Sequence, residues 1–120
     1  MEKDVISLRE AMNDGKTIYL YYDDIVGVYL AFGLSAYFTT KLMEPYVSYS
    51  EALQMPVALL RQKHVQELQQ SLDMVEHTAR SYYRFTMSQQ VEDAGYDTWA
   101  SGILSSHNQV AEQTGTGTAR

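Results

Sequence analysis

Two short runs of alternating β-branched and aromatic residues, 17–22 and 28–32, flank an acidic break at Asp23-Asp24. A period of two puts Ile18, Leu20 and Tyr22 on one face of the first run and Thr17, Tyr19 and Tyr21 on the other. In the second run Val28, Leu30 and Phe32 alternate with Tyr29 and Ala31. Two such runs around a short polar break predict an antiparallel hairpin. The break is neither Asn-Gly nor Asp-Gly, so it does not name its turn type. Neighbouring aspartates of an extended chain point to opposite faces, which suits a blunted hairpin tip better than an acid/base pair.

The 120 residues suffice for one domain around a single modest core. Residues 2–13 predict a short helix with Val5, Leu8 and Met12 as its apolar stripe and Arg9 and Glu10 pointing elsewhere, closed by Asn13-Asp14-Gly15. Gly33 ends the second strand or marks a bulge in it. Over 34–43, Leu34, Phe38 and Leu42 fit a helix, but the strict alternation and the density of Tyr, Phe and Thr favour a strand. Glu44-Pro45 breaks that element, 46–54 reads as a loop or crossover, and 55–60 as a short strand with Pro56 at its start. Val65, Leu68, Leu72, Val75, Ala79 and Tyr82 recur every three or four residues, with no Gly or Pro between Val57 and Ala94. That pattern predicts a long helix over 63–92. Asp97-Thr98 caps a short helix carrying Trp99, Ile103 and Leu104. The expectation is an α+β domain over 1–108: a small antiparallel sheet, the hairpin plus one or two short strands, packed by one long helix and two short ones. Residues 109–120, with Thr-Gly-Thr-Gly-Thr, are expected to form a disordered tail.

Composition removes whole chemistries. Without cysteine there is no disulfide framework, thiolate metal site or cysteine nucleophile. The opening Met-Glu-Lys-Asp-Val-Ile reads as neither a signal nor a transit peptide, and a cytoplasmic location is expected. Net charge is −6, with four basic against eight acidic residues in 1–60 and five against seven in 61–120. Neither half is suited to neutralising phosphates, and only Arg61, Lys63, Arg80 and Arg84 offer a basic edge, so nucleic acid is not an expected partner. The uncharged run 25–40 is shorter than the roughly 20 residues of a spanning helix and contains Gly27 and Gly33, so no membrane partner is expected.

No catalytic constellation stands out, and no cofactor or metal is expected. His64, His77 and His107 lack metal-ligand spacing, and no Gly-x-Ser-x-Gly elbow is present. Glu92, Asp93 and Asp97 around Gly95 lack the order of a calcium loop. On the predicted long helix Asp73, His77, Arg80 and Arg84 align beside the apolar face, so His77, Arg80 and Arg84 form a weak anion-binding candidate; a solvated face with small ion pairs explains the same stripe.

The tyrosines remain. Five of the ten fall within 19–37, a stretch without a basic residue. Tyr19, Tyr21 and Tyr29 are expected on one sheet face with Tyr37 near it, and Tyr82 and Tyr83 on the long helix. Stacking on bases usually comes with a cationic groove, which is missing here. The functional expectation is therefore a small intracellular, non-catalytic domain acting by protein–protein contact. It would self-associate through the aromatic sheet face and the long helix, with Tyr19, Tyr21, Tyr29, Tyr37, Tyr82 and Tyr83 as interface candidates. The alternative is a small-molecule-binding domain or enzyme with a pocket between sheet and long helix.

Overall fold

Strong β-formers dominate more of the chain than the sequence reading allowed. In the computed structural model, which describes residues 3–78, 82–88 and 94–119, six strands are present: β1 (Thr17–Asp23), β2 (Val28–Phe32), β3 (Tyr46–Ser50), β4 (Met55–Leu60), β5 (Asp73–Thr78) and β6 (Tyr82–Thr86). They form one antiparallel sheet in the order β3-β4-β2-β1-β6-β5. Four helices accompany it: α1 (Lys3–Ala11), α2 (Gly33–Leu42), α3 (Gln62–Ser71) and α4 (Tyr96–Ala119). The α+β class holds, but the sheet is larger than the hairpin plus one or two strands expected. The backbone is helical through the Thr-Gly-Thr-Gly-Thr segment.

The predicted helix over 63–92 is replaced by α3, β5 and β6. The helix ends where Leu72 turns extended, at φ −126° and ψ 160°. Beyond it Phe85 pairs with Ile18 and Tyr83 with Leu20, so partners distant in sequence outweigh a fortuitous three-four spacing. The strand expected over 34–43 is α2, buried almost all round at Ser35, Ala36, Tyr37, Phe38 and Thr39. A helix without a polar face loses the contrast that makes its period visible. Its threonine hydroxyls are satisfied within the helix, Thr39 Oγ1 donating to the Ala36 carbonyl at 2.6 Å and Thr40 Oγ1 to that of Tyr37 at 2.6 Å. Residues 46–50, expected as loop, are β3, whereas 55–60 is a strand as expected.

The hairpin forms with a four-residue tip, pairing Asp23 with Val28 and Tyr21 with Leu30. An even-numbered loop pairs odd positions with even ones. Leu30 and Phe32 therefore share a face with Tyr19 and Tyr21, and Tyr29 and Ala31 share the other with Ile18 and Leu20. This corrects the expected placement of Tyr29 beside Tyr19 and Tyr21. At the tip, Asp23 Oδ1 accepts from the amides of Ile25 (3.0 Å) and Val26 (3.3 Å), and Gly27 adopts φ +79°.

The two faces differ in cover. On one, Ile18, Leu20, Ala31, Ala58, Leu60, Tyr83 and Phe85 pack beneath α2 (Ala36, Tyr37, Phe38), α3 (Val65, Leu68) and the Trp99 side of α4. On the other, Tyr21, Phe32 and Val57 form a smaller core with Ile6, the only helical side chain in that buried cluster among the described residues. Helix α1 is thus turned over relative to expectation. Ile6 and Glu10 face inward, and Val5, Leu8 and Met12 are exposed, Met12 by 74%.

Glu10 joins three elements. Its Oε1 accepts from the Ser35 amide at 2.9 Å in the first turn of α2, and its Oε2 from Ser35 Oγ at 2.6 Å. Ser35 Oγ in turn accepts from the Tyr19 amide at 3.0 Å, where β2 ends. That β1 amide would otherwise be an orphan, because the chain leaves the sheet at Gly33 and enters α2 with no connecting loop. Gly33 has φ +57°, and a Cβ there would lie 3.2 Å from Met55 Sδ and 3.4 Å from Glu10 Cβ. Gly33→Ala is therefore expected to cost about 2 kcal/mol, read as a lowered urea midpoint at unchanged slope.

Burial is the main influence on Glu10 and pushes its carboxyl from 4.5 up to about 7, against the opposing hydrogen bonds of Ser35, Asn13 and Leu34. The folded state then binds this proton more tightly than the unfolded chain. The resulting stabilisation is complete below the unfolded value and is lost as pH rises through the folded one. Glu10→Gln cannot titrate, so across that window it should gain roughly 3 kcal/mol on the wild type in urea titrations. A constant difference between the two proteins would refute this.

Candidate functional site

The six candidate tyrosines fall into three separate clusters. On the thinly covered face, β1 presents Tyr19 and Tyr21 and β6 presents Tyr82, which pairs with Tyr21 across the strands. Ring centroids lie 5.7 Å apart for Tyr21–Tyr82, 6.4 Å for Tyr19–Tyr82 and 6.0 Å for Tyr21–Phe32. Helix α1 sets the Arg9 guanidinium over this group, 4.6 Å from the Tyr82 centroid, 5.6 Å from Tyr19 and 5.8 Å from Tyr21. Arg9 Nη1 also donates to Tyr21 Oη at 3.3 Å. Three rings and one cation make a cation–π nest that α1 fills from within the chain. Burial raises the Tyr82 and Tyr21 hydroxyls above their ordinary value, opposed in both by Arg9, so all act as neutral phenols at physiological pH.

Tyr29 and Tyr83 lie on the opposite face, their ring centroids 5.5 Å apart. Tyr22 joins them at 5.0 Å from Tyr29, and His77 of β5 stacks flat on Tyr83 at 4.1 Å and 9°. Tyr37 is buried in α2 against Tyr96 (5.8 Å) and Trp99 (5.3 Å), where it fastens α4. Burial, reinforced by Glu10 and Asp97, pushes the Tyr96 hydroxyl up to about 12. Tyr37 thus belongs to the interior rather than to a sheet surface.

The anion candidate does not assemble around His77 and Arg84. Without the long helix, His77 pairs with Tyr83 and Arg84 with Tyr19, on opposite sides of the sheet; Arg80 lies outside the described residues. Arg84 Nε stands 3.9 Å from Glu76 Oε1, both side chains substantially exposed, a separation worth little. His64 Nδ1 accepts from the Arg61 amide at 3.1 Å and starts α3, while His107 Nε2 meets Glu51 Oε1 at 2.8 Å. Among the described residues no three His, Asp or Glu side chains gather as a metal site, and no helix is long and apolar enough to cross a membrane. Of the acidic residues around Gly95, Glu92 and Asp93 also lie outside the described residues, and Asp97 lies in the first turn of α4.

The thinly covered face continues across neighbouring strands. Register links Tyr82 to Tyr21, Tyr21 to Leu30, Leu30 to Leu59, and Leu59 to Tyr46. Leu30 and Leu59 are half-buried and Tyr46 is 70% exposed. Five strands at about 4.8 Å spacing make this row about 19 Å long. Sequence reasoning missed Arg9, Glu10, Leu30, Leu59 and Tyr46. The available signal was Ile6-x-x-x-Glu10, an alternative helix face, and the even spacing between the paired strands.

Arg9→Ala should lower stability by about 1 kcal/mol, and Arg9→Lys should recover part of it, since an ammonium keeps the charge but not the planar stack. Equal stability of all three proteins in thermal unfolding would show that the nest carries no energy.

Comparison with known proteins yields no match to a family model, to a curated protein or to a solved structure.

Proposed function

We propose that this chain is an intracellular, non-catalytic protein-contact domain, formed by residues 1–108, that self-associates through the face carrying Tyr19, Tyr21 and Tyr82. The observation that carries this reading is the lopsided cover of the sheet. Three helices supply large side chains to one face, whereas α1 supplies only Ile6 to the buried cluster of the other. The row runs from the buried Tyr21 and half-buried Tyr82 under α1, through the half-buried Leu30 and Leu59, to the exposed Tyr46, beside the exposed Val5 and Leu8 of α1 and Met12 just after it.

Chemistry favours a protein surface as the occupant. The strand residues in the row are aromatic or aliphatic, and the two arginines on this face are engaged within the chain, Arg9 over the three rings and Arg84 beside Glu76, which favours a protein surface over a phosphate backbone. Tyrosine suits an interface, with a large rigid ring and a hydroxyl that tolerates water at the rim. A second copy brings the same patch by symmetry and enlarges a small core without new sequence.

Light scattering and sedimentation across a concentration series test the reading. A dimer is expected at high concentration. Tyr46→Ala and Leu8→Glu, both at exposed positions, should each weaken it about tenfold or more, with the thermal midpoint of the dilute protein unchanged. A monomer at every concentration would overturn the proposal.

A further inference from the structure

Among the described residues, the most exposed large apolar side chain stands at the tip of the β1–β2 hairpin. Ile25 is 92% exposed, and Val26 beside it 64%. Turns are ordinarily built from Gly, Pro, Asn, Asp and Ser, and this one takes what its shape requires from such residues. Asp23 receives three successive tip amides: Ile25 (3.0 Å) and Val26 (3.3 Å) donate to its Oδ1, and Gly27 (2.8 Å) donates to its carbonyl. Gly27 supplies the left-handed residue at φ +79°. The turn therefore places no demand on the side chains at 25 and 26, and neither belongs to the two buried clusters. Two branched aliphatic groups are held out to solvent on a frame that is already ordered. Little conformational freedom is left to lose when they are buried.

Charge decides what kind of surface fits them. Asp24 is exposed beside Ile25, and residues 23–27 carry two carboxylates and no cation. An anionic membrane leaflet would repel both these carboxylates and the net charge of −6. Ile25 and Val26 together also bring fewer carbons than the single acyl chain that gives only marginal membrane binding. A protein cleft can join an apolar floor to a cation on its rim.

We infer that this tip seats Ile25 and Val26 in an apolar cleft of a different protein, whose rim carries a Lys or Arg opposite Asp24. The aliphatic pair supplies affinity and Asp24 supplies orientation. The tip lies beyond the last paired residues of the hairpin, Asp23 and Val28, so the inference does not need the self-association proposed above.

The experiment uses the full chain, with a diazirine-bearing aliphatic amino acid at position 25, irradiated in its native cells. One discrete adduct with a second protein is expected, its crosslinked residue lying in an apolar cleft bordered by Lys or Arg. Val26→Ser and Asp24→Lys should each lower the yield about tenfold or more, with the thermal midpoint of the chain unchanged. No adduct, an adduct that both substitutions leave intact, or an adduct joining two copies of this chain would overturn the inference. So would co-sedimentation of the pure chain with vesicles of phosphatidylcholine and phosphatidylserine, which would assign the tip to a membrane surface. A lowered thermal midpoint in either variant would show that the tip serves the fold, and overturns the inference equally.

Discussion

A carboxyl group buried without a cation must be held by dipoles, and Glu10 is held by those of one helix terminus and one serine. The amides opening α2 point at its oxygens, and Ser35 Oγ passes the connection on to the backbone of β1. Three features of the fold therefore depend on one another. The point where β2 leaves the sheet, the start of α2 and the seat of α1 all meet within this bond network. Gly33 makes the meeting possible, because a Cβ there would press on Met55 and Glu10. An α1 helix without this carboxylate would retain Ile6 as its one wholly buried apolar anchor.

The same joint explains why the two sides of the sheet are so unlike. A chain that passes from β2 directly into α2 commits that helix to the face bearing Ala31, Ala58 and Leu60, and α4 follows it there through Tyr37, Tyr96 and Trp99. The remaining face is left to a nine-residue helix. Its aromatic content compensates in part: Arg9 converts three ring faces from solvent-facing surface into a seat for a cation. The result is a sheet with a conventional core on one side and a lightly fastened layer on the other.

Local alternation made the hairpin visible in the sequence, because strand period and β-propensity agree there, and a short apolar run behind Pro56 did the same for the strand 55–60. Elsewhere tertiary context decided. The spacing of Val65 and Leu68 signals a helix correctly, but the same rhythm continues through Val75 and Tyr82, where pairing of β5 with β6 and of β6 with β1 determines the structure. Residues 34–43 carry both periods at once, and burial of Ser35 and Thr39 together with Ala36, Tyr37 and Phe38 leaves no clear contrast of faces to distinguish them. On α1 the obvious stripe, Val5, Leu8 and Met12, is the outward one; Glu10 sits inside because partners distant in sequence receive it. Of the candidate site, the tyrosine-rich stretch was legible, whereas its division between two faces and the interior depends on one loop length and one misassigned helix.

That loop length has a consequence for how the molecule avoids folding wrongly. Strand β2 is apolar on both sides, with Leu30 and Phe32 on one and Tyr29 and Ala31 on the other. In most sheets a one-residue slip would carry polar side chains into the core and be rejected at once. Here a slipped β2 would still present apolar groups to both layers, so hydrophobicity is a poor proofreader of its register. Discrimination falls to the tip, where Asp23 receives two amides and Gly27 takes a left-handed backbone. The few polar atoms at the outermost end of the hairpin thus act as the alignment mark for a core several residues away.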